Sequence, residues 1–469
     1  MKVLYAASEA APFAKSGGLA DVAGALPKEL VRDGVDARVV MPLYGNLKFR
    51  STLEYVTNFT VPVGWRNQYC GLFQTVRDGV TFYFLDNEYY FKRGNALYGY
   101  YDDGERFAYF ARAVLEMLRY INFVPDILNC NDWETALAPL YLNLYYRDDP
   151  RYSRIKTVFS IHNIAYQGQY GLDILGDTCG IYGWDTKLAE YNNDANFMKA
   201  AIVSSDQVTT VSPTYATEIL EPWFGCHLDG LLRQNQFKLC GILNGIDQEV
   251  NDPATDPAIA QNYDASTVKS GKAACKQALL QHFHLDNDGS PVMGMVTRLA
   301  GHKGLDIVRE IGDHLVEEGI QLVILGTGEK QFEHYFSSLA ARYPGRVGVL
   351  IGFDVELAQQ IYAGCDLFLM PSKSEPCGLS QMVSCRYGTL PIVRETGGLK
   401  DSIQDGYNGF TFGSYEAGAL LLTCQRAKLQ YEDKEAWDAQ VQRAMACDFS
   451  WKAAAKQYEA LYEEVAKRW

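Results

Sequence analysis

At 469 residues, with 48% hydrophobic and 21% charged residues, the chain is too long for one hydrophobic core and has an ordinary globular composition. A formal net charge of −14 argues against nucleic acid or an anionic membrane surface as the main partner, so a phosphate-bearing ligand must be held by a few placed cations. The 11 cysteines are scattered without a Cys-x-x-Cys pair, which points to free thiols in a reducing cytoplasm. No apolar run reaches membrane-spanning length, and the N-terminus turns acidic at Glu9, too early for a signal peptide.

Val3 to Ala7 reads as a first buried strand. The loop after it ends Lys15-Ser16-Gly17-Gly18, and Leu19, Val22, Ala23, Leu26, Leu30 and Val31 then share one helical face up to Gly34. Pro27 inside this run predicts a kink. Val35 to Met41 is the next strand, which completes a βαβ unit and implies a parallel sheet. Tyr55–Val63, Tyr69–Val76 and Val80–Leu85 read as hairpins inserted in, or extending, this sheet. Tyr89 to Asp103 reads as a surface loop able to present aromatic faces, followed by a helix over Glu105–Arg119.

The βα rhythm then resumes, with strands Asp126–Cys130, Lys156–Ile161, Gln207–Val211 and Leu239–Leu243. Asn251 to Pro257 has the composition of a linker. After a helical region near Lys269–Phe283, a second series has strands Val292–Thr297, Leu322–Leu325, Val347–Ile351, Asp366–Met370 and Leu390–Val393. Amphipathic helices over Leu305–Glu318, Gln331–Arg342, Val355–Ala363 and Leu379–Tyr387 alternate with them, and a last helix runs from Trp451 to about Lys467. The simplest architecture is two doubly wound α/β domains, with ligands at the carboxyl ends of the strands and in the cleft between the domains.

Polar residues cluster at those strand ends. Lys15 with Gly17 and Gly18 offers backbone N–H groups and a mobile charge to an anion, or is a plain tight turn. Arg298 follows one strand and Lys303-Gly304 opens the next helix; both cations suit a diphosphate, or are solvated surface charges. Thr396-Gly397-Gly398 repeats the glycine pair, and Gly326-Thr327-Gly328 does so or is only a turn. Asp132 reads as a sugar ligand or a helix cap, and His162 as a substrate contact or a satisfied buried imidazole. Glu375, flanked by Pro376 and small residues in Ser374-Glu375-Pro376-Cys377-Gly378-Leu379, reads as a ligand-facing acid or an N-cap. The seven histidines are dispersed, and Asp102-Asp103 sits at a helix start like a cap, so no metal constellation is expected.

Taken in order, Lys15 to Val22, Ile161 to Gly168, Leu243-Asn244-Gly245-Ile246-Asp247, Arg298-Leu299 with Lys303-Gly304, Glu375 to Leu379 and Thr396 to Leu399 resemble the bacterial glycogen synthases and plant starch synthases over nearly the whole chain. The resemblance implies a GT-B fold: Rossmann-like domains over 1–243 and 244–450, and a helix over 451–469 crossing back to the first. It implies transfer of glucose from ADP-glucose to an α-1,4-glucan with retention, and neither metal nor pyridoxal phosphate as cofactor.

Carried over by position, the resemblance makes Lys15, Gly17, Gly18 and Asp21 donor contacts and Arg298 and Lys303 the cations on the departing diphosphate. Glu375 holds donor hydroxyls, and Cys377, Gly378 and Leu379 lie near the sugar with Asn244. Thr396, Gly397 and Gly398 lie near the phosphates, His162 contacts glucose, and Asp132 sits beside the reacting centre. The chain departs from the common His-Asp-Trp-His pattern with Asn131-Asp132-Trp133-Glu134, and carries Ser374 and His302 where Phe and Gln are usual. Within related chemistry a UDP-glucose or small-glycoside transferase fits the same motifs. A pyridoxal-phosphate glucan phosphorylase and a turnover-deficient glucan-binding protein are the readings of other classes.

Overall fold

The computed structural model describes residues 1–468. The chain divides into two compact units: Met1–Val211, Ala216–Ile242 and the segment from Trp451 form the first, and Ser212–Tyr215 with Leu243–Ser450 the second.

The first unit holds strands β1 (Lys2–Ala6), β2 (Asp36–Pro42), β3 (Glu54–Val63), β4 (Arg66–Arg77), β5 (Val80–Asp86), β6 (Ile127–Asn131) and β7 (Lys156–Ile161). The short β8 (Gln169–Tyr170), β9 (Glu190–Tyr191) and β10 (Asp194–Asn196) form a separate three-stranded sheet, and β11 (Gln207–Thr210) and β12 (Leu239–Gly241) complete the main one. Its order is β12-β11-β7-β6-β1-β2-β5-β4-β3. It is parallel from β12 through β5, and β4 and β3 join it antiparallel as the expected hairpin extension. Val3, Leu4, Tyr5 and Ala6 are all buried, as befits a strand covered on both faces. The chain leaves β1 toward β2 and later returns to β6 on its other side, so the order reverses between β1 and β6. The carboxyl ends of these two strands mark the switch point, where open α/β sheets bind ligands.

The helix Gly18–Arg32 runs unbroken across Pro27 and buries Leu19, Val22, Ala23, Leu26 and Leu30. The last helix, Trp451–Ala466, packs on it within the same unit and buries Tyr458 and Tyr462.

The second unit holds β13 (Val292–Val296), β14 (Gln321–Gly326), β15 (Val347–Ile351), β16 (Leu367–Met370), β17 (Leu390–Arg394) and β18 (Phe410–Phe412) in the order β15-β14-β13-β16-β17-β18, all parallel. Here the reversal falls between β13 and β16. Both sheets are of the open, doubly wound type that the βα alternation predicts.

Three expectations are corrected. The Tyr89–Asp103 stretch is not a plain loop: a short helix, Glu88–Phe91, buries Tyr90 and Phe91, while Tyr89 and Tyr101 stay exposed. Asp102 and Asp103 do not cap the following helix through their side chains but pair with Arg93 (2.6 Å) and Arg106. Asn251–Pro257 is not a free linker, because Asp256 is buried and accepts the Tyr387 hydroxyl at 2.6 Å. After β6 the chain runs through a 3-10 turn at Trp133–Thr135 into a short α-helix at Leu137–Tyr141 and a π segment at Leu142–Tyr146.

Candidate active site

In the second unit the switch point carries a cavity of about 100 Å³, lined among others by Thr297, Lys303, Ser372, Glu375, Gly378 and Leu379. Gly304, at φ 76°, lets the chain turn after Lys303; a Cβ there would meet the Pro371 carbonyl at 2.0 Å. Lys303 thereby reaches Glu375, Nζ to Oε2 at 2.7 Å, and the buried Ser372 hydroxyl donates to the same oxygen at 3.0 Å. Glu375 is therefore not an N-cap: its carboxylate is spent on a lysine and a serine, not on helix N–H groups. Arg298 follows β13 in an exposed position. Burial, and then the charges of Lys303 and Arg298, push the neighbouring His302 imidazole below its usual pKa. A neutral His302 leaves the two permanent cations to define the field.

The Thr396-Gly397-Gly398 turn after β17 packs directly on this loop. Gly398 donates to the Glu375 and Pro376 carbonyls, both at 3.2 Å. Gly397 is at φ 44°, and a Cβ there would stand 1.9 Å from the Glu375 carbonyl oxygen. Cys377 is buried and its thiol is pushed up to about 12 by desolvation, so it packs and does not react. Asn244 lies buried against that thiol, and its Oδ1 has no hydrogen-bond partner among the described residues. Gly326-Thr327-Gly328 is a turn closed by Glu333, which accepts from the Thr327 hydroxyl at 2.8 Å and from Gly328 N–H at 3.0 Å. Its anion-binding groups are already occupied by a side chain.

In the first unit, Asp132 follows β6 with φ 53° and ψ −177°, a conformation rare for any residue but glycine. The strained backbone turns its carboxylate toward the end of β7, where Oδ1 accepts His162 N–H at 2.8 Å and Asn163 N–H at 3.4 Å. Burial raises its pKa to about 7, against those two amides and with a smaller push from Glu9. His162 is held neutral, pushed down to about 4 by desolvation, and its Nε2 lies 2.8 Å from Asn131 Oδ1. Trp133-Glu134 continues into the turn. Glu134 is buried with Oε2 unpartnered, and burial, then Asp132, keeps its carboxyl well above the carboxylate range.

Lys15 does not stand free to meet an anion: its Nζ pairs with Asp21 at 2.6 Å, on the exposed side of the loop. The Ser16 N–H donates to Glu9, whose carboxyl is raised first by burial. So this loop too is closed by a carboxylate of its own chain. Glu9 and Ser372, which the motifs did not single out, and Asn131 and Glu134, which stood out only as departures from the family pattern, share one trait: each acts on a motif residue through a side chain whose direction the sequence does not give.

Two family models match. The starch synthase catalytic domain covers residues 2–234, and glycosyl transferases group 1 covers residues 278–443. The glycogen synthase of Geobacillus thermodenitrificans is 50% identical over all of this chain and 98% of its own length. That of Bacillus cereus is 48% identical over 99% of this chain and all of its own. Among solved structures, the catalytic domain of starch synthase IV from Arabidopsis thaliana, bound to ADP and acarbose, superposes with a TM-score of 0.90 at 34% identity over 99% of both chains. A sucrose-phosphate synthase from Thermosynechococcus elongatus shares the fold alone, at 15% identity and a TM-score of 0.62 over 99% of this chain and 98% of its own. Two Rossmann-like sheets in GT-B units, matched over their full length at this identity, show that the chain belongs to the glycogen synthase and starch synthase family of glycosyltransferases.

Proposed function

We propose that this chain moves α-D-glucose from ADP-glucose to the non-reducing end of an α-1,4-glucan, with retention at the anomeric carbon and release of ADP. The observation that carries the reading is the Lys303–Glu375 pair, with Arg298 nearby, at the switch point of the second sheet. Breaking the glucosyl–phosphate bond places negative charge on the departing diphosphate. On this reading Arg298 and Lys303 meet that charge, and one such fixed interaction is worth about 3 kcal/mol of barrier. On this reading the diphosphate draws Lys303 toward itself, and Glu375 then orients the lysine and accepts sugar hydroxyls.

Gly397, Gly398 and the backbone of Cys377 to Leu379 provide close approach to the donor. In the first unit, His162 and Asp132 handle sugar hydroxyls, and Lys15 and Asp21 exchange their mutual pair for the substrate. Front-face displacement, in which leaving group and acceptor share one side of an oxocarbenium-like state, fits a site in which the Glu375 and Asp132 carboxylates are engaged with protein groups. The reaction as proposed uses neither metal nor pyridoxal phosphate. No group of three or more His, Cys, Asp or Glu is placed to hold a metal among the described residues. The eleven thiols are all free, in keeping with a cytoplasmic setting.

One experiment tests the reading: release of the nucleoside diphosphate, ADP from ADP-glucose or UDP from UDP-glucose, with and without glycogen, in EDTA, for the wild type and Glu375→Ala. Glycogen-dependent ADP release that persists in EDTA and falls by at least a hundredfold in the variant is expected. Release only from UDP-glucose, or loss in EDTA with recovery on adding magnesium, would overturn the corresponding part.

A further inference from the structure

The fixed point is a buried amide. Asn131 closes strand β6, is wholly buried, and lies beside the end of β7 because the parallel register sets it opposite Ser160. Its Nδ2 faces two backbone carbonyls, Ala6 at 2.9 Å and Asn129 at 3.4 Å. A carbonyl oxygen only accepts, so the amide nitrogen must point at this pair; the reversed amide would set oxygen against oxygen in a buried site. Oδ1 is thereby turned toward His162 Nε2 at 2.8 Å, and an amide oxygen only accepts. The proton therefore sits on Nε2. Nδ1 makes no hydrogen bond within the described residues, and in the neutral ring it is a bare lone pair. Asp132 fixes the backbone of the same residue through His162 N–H.

We infer that Asn131 is a positioning residue that locks His162 in the Nε2–H tautomer, so that the imidazole meets the sugar as a hydrogen-bond acceptor at Nδ1 and never as a donor. The consequence is a choice of ligand chemistry. Nδ1 can take the proton of a sugar hydroxyl but cannot donate to a ring oxygen, an ether oxygen or a phosphate oxygen. The hydroxyl it binds is thereby set as a donor, and its own oxygen is left to accept from elsewhere. The inference rests on the glucosyl-transfer reading only for the identity of the ligand; the tautomer itself does not depend on it.

The test is ¹⁵N NMR of protein labelled at histidine, with His162 assigned by its absence in His162→Gln. In the wild type the His162 ring is expected to show a protonated Nε2 and an unprotonated Nδ1 across neutral pH. On adding ADP with a maltooligosaccharide, the Nδ1 resonance is expected to move while Nε2 stays in place. In Asn131→Leu, which keeps the branching at Cγ but offers no acceptor, the two tautomers should mix, and kcat/KM for ADP-glucose should fall about tenfold, the loss of one hydrogen bond. A wild-type spectrum with the proton on Nδ1, or an Nδ1 resonance indifferent to the saccharide, overturns the inference. The wild-type measurement stands even if Asn131→Leu does not fold. An enzyme with no ADP release but with the Nε2–H tautomer would sink the function proposed above and leave the lock intact.

Discussion

Glu134 shows how one side chain records its surroundings. Its carboxyl is buried, lacks a partner for Oε2, and lies close enough to Asp132 for the two to repel as anions. Both effects hold the proton on, and Asp132 itself is pushed up to about 7. The sign follows from proton counting. Above its ordinary carboxylate range Glu134 is ionised in the unfolded chain and still protonated in the folded one, so folding takes up a proton and stability falls as pH rises. The slope is at most about 1.4 kcal/mol per pH unit per proton. Glu134→Gln cannot ionise in either state. Urea midpoints for this variant should therefore gain on the wild type between pH 6 and 8, by an amount approaching that slope, while Asp132 gives both proteins a residual fall over the lower part of the interval. Parallel midpoint curves for the two proteins would mean that Glu134 is already ionised in the native state.

At the scale of elements, the strand-end loops owe their form to glycines set against carbonyls. The Thr396-Gly397-Gly398 turn is a clear case, with Gly397 at φ 44° and no room for a Cβ beside Glu375 O. Gly397→Ala should cost on the order of 3 kcal/mol, from strain at positive φ and displacement of the Glu375 loop together. A lowered melting temperature and a lost Lys303–Glu375 geometry should appear together, read as reduced ADP release at a temperature where the variant is still folded. An alanine variant with wild-type melting and turnover would show that the two loops are free to part.

The existence of both loops was legible, because apolar runs such as Leu367–Met370 end in a glycine- or proline-rich turn before a helical period begins. The hairpin extension β3–β5 was legible for the same reason, from alternation and Arg77-Asp78-Gly79. Strand β18, three residues long, is too short for any period to show. What side chains do across elements was not legible either. The meeting of Asn131 with His162 depends on the register of β6 and β7, and the Lys15–Asp21 and Glu333 closures depend on rotamers that composition does not fix.

For the whole molecule, the order of the chain and the order of its packing differ. The segment from Trp451 follows all of the second unit in the chain, yet belongs to the first. Its tie to that unit is specific. The buried Tyr462 hydroxyl donates to Asn129 Oδ1 at 2.6 Å, Asn129 Nδ2 donates to Ser160 Oγ at 2.9 Å, and Ser160 meets Thr209 Oγ1 at 2.8 Å. A buried polar thread thus runs from the last helix through β6, β7 and β11. Each member is satisfied only while the others are, and a buried acceptor left without its donor costs about 1–3 kcal/mol. Tyr462→Phe removes one hydroxyl and almost no volume, and leaves Asn129 Oδ1 unpaired. Hydrogen exchange followed by mass spectrometry should then show faster exchange in β6, β7, β11 and the Trp451–Ala466 helix, by about tenfold or more if these amides open together. Strands β13, β14, β16 and β17 share no member of the thread and should keep their protection. Loss of protection spread evenly over both sheets would instead mean that the two units unfold as one, and that the thread steadies the whole chain and not the first unit alone.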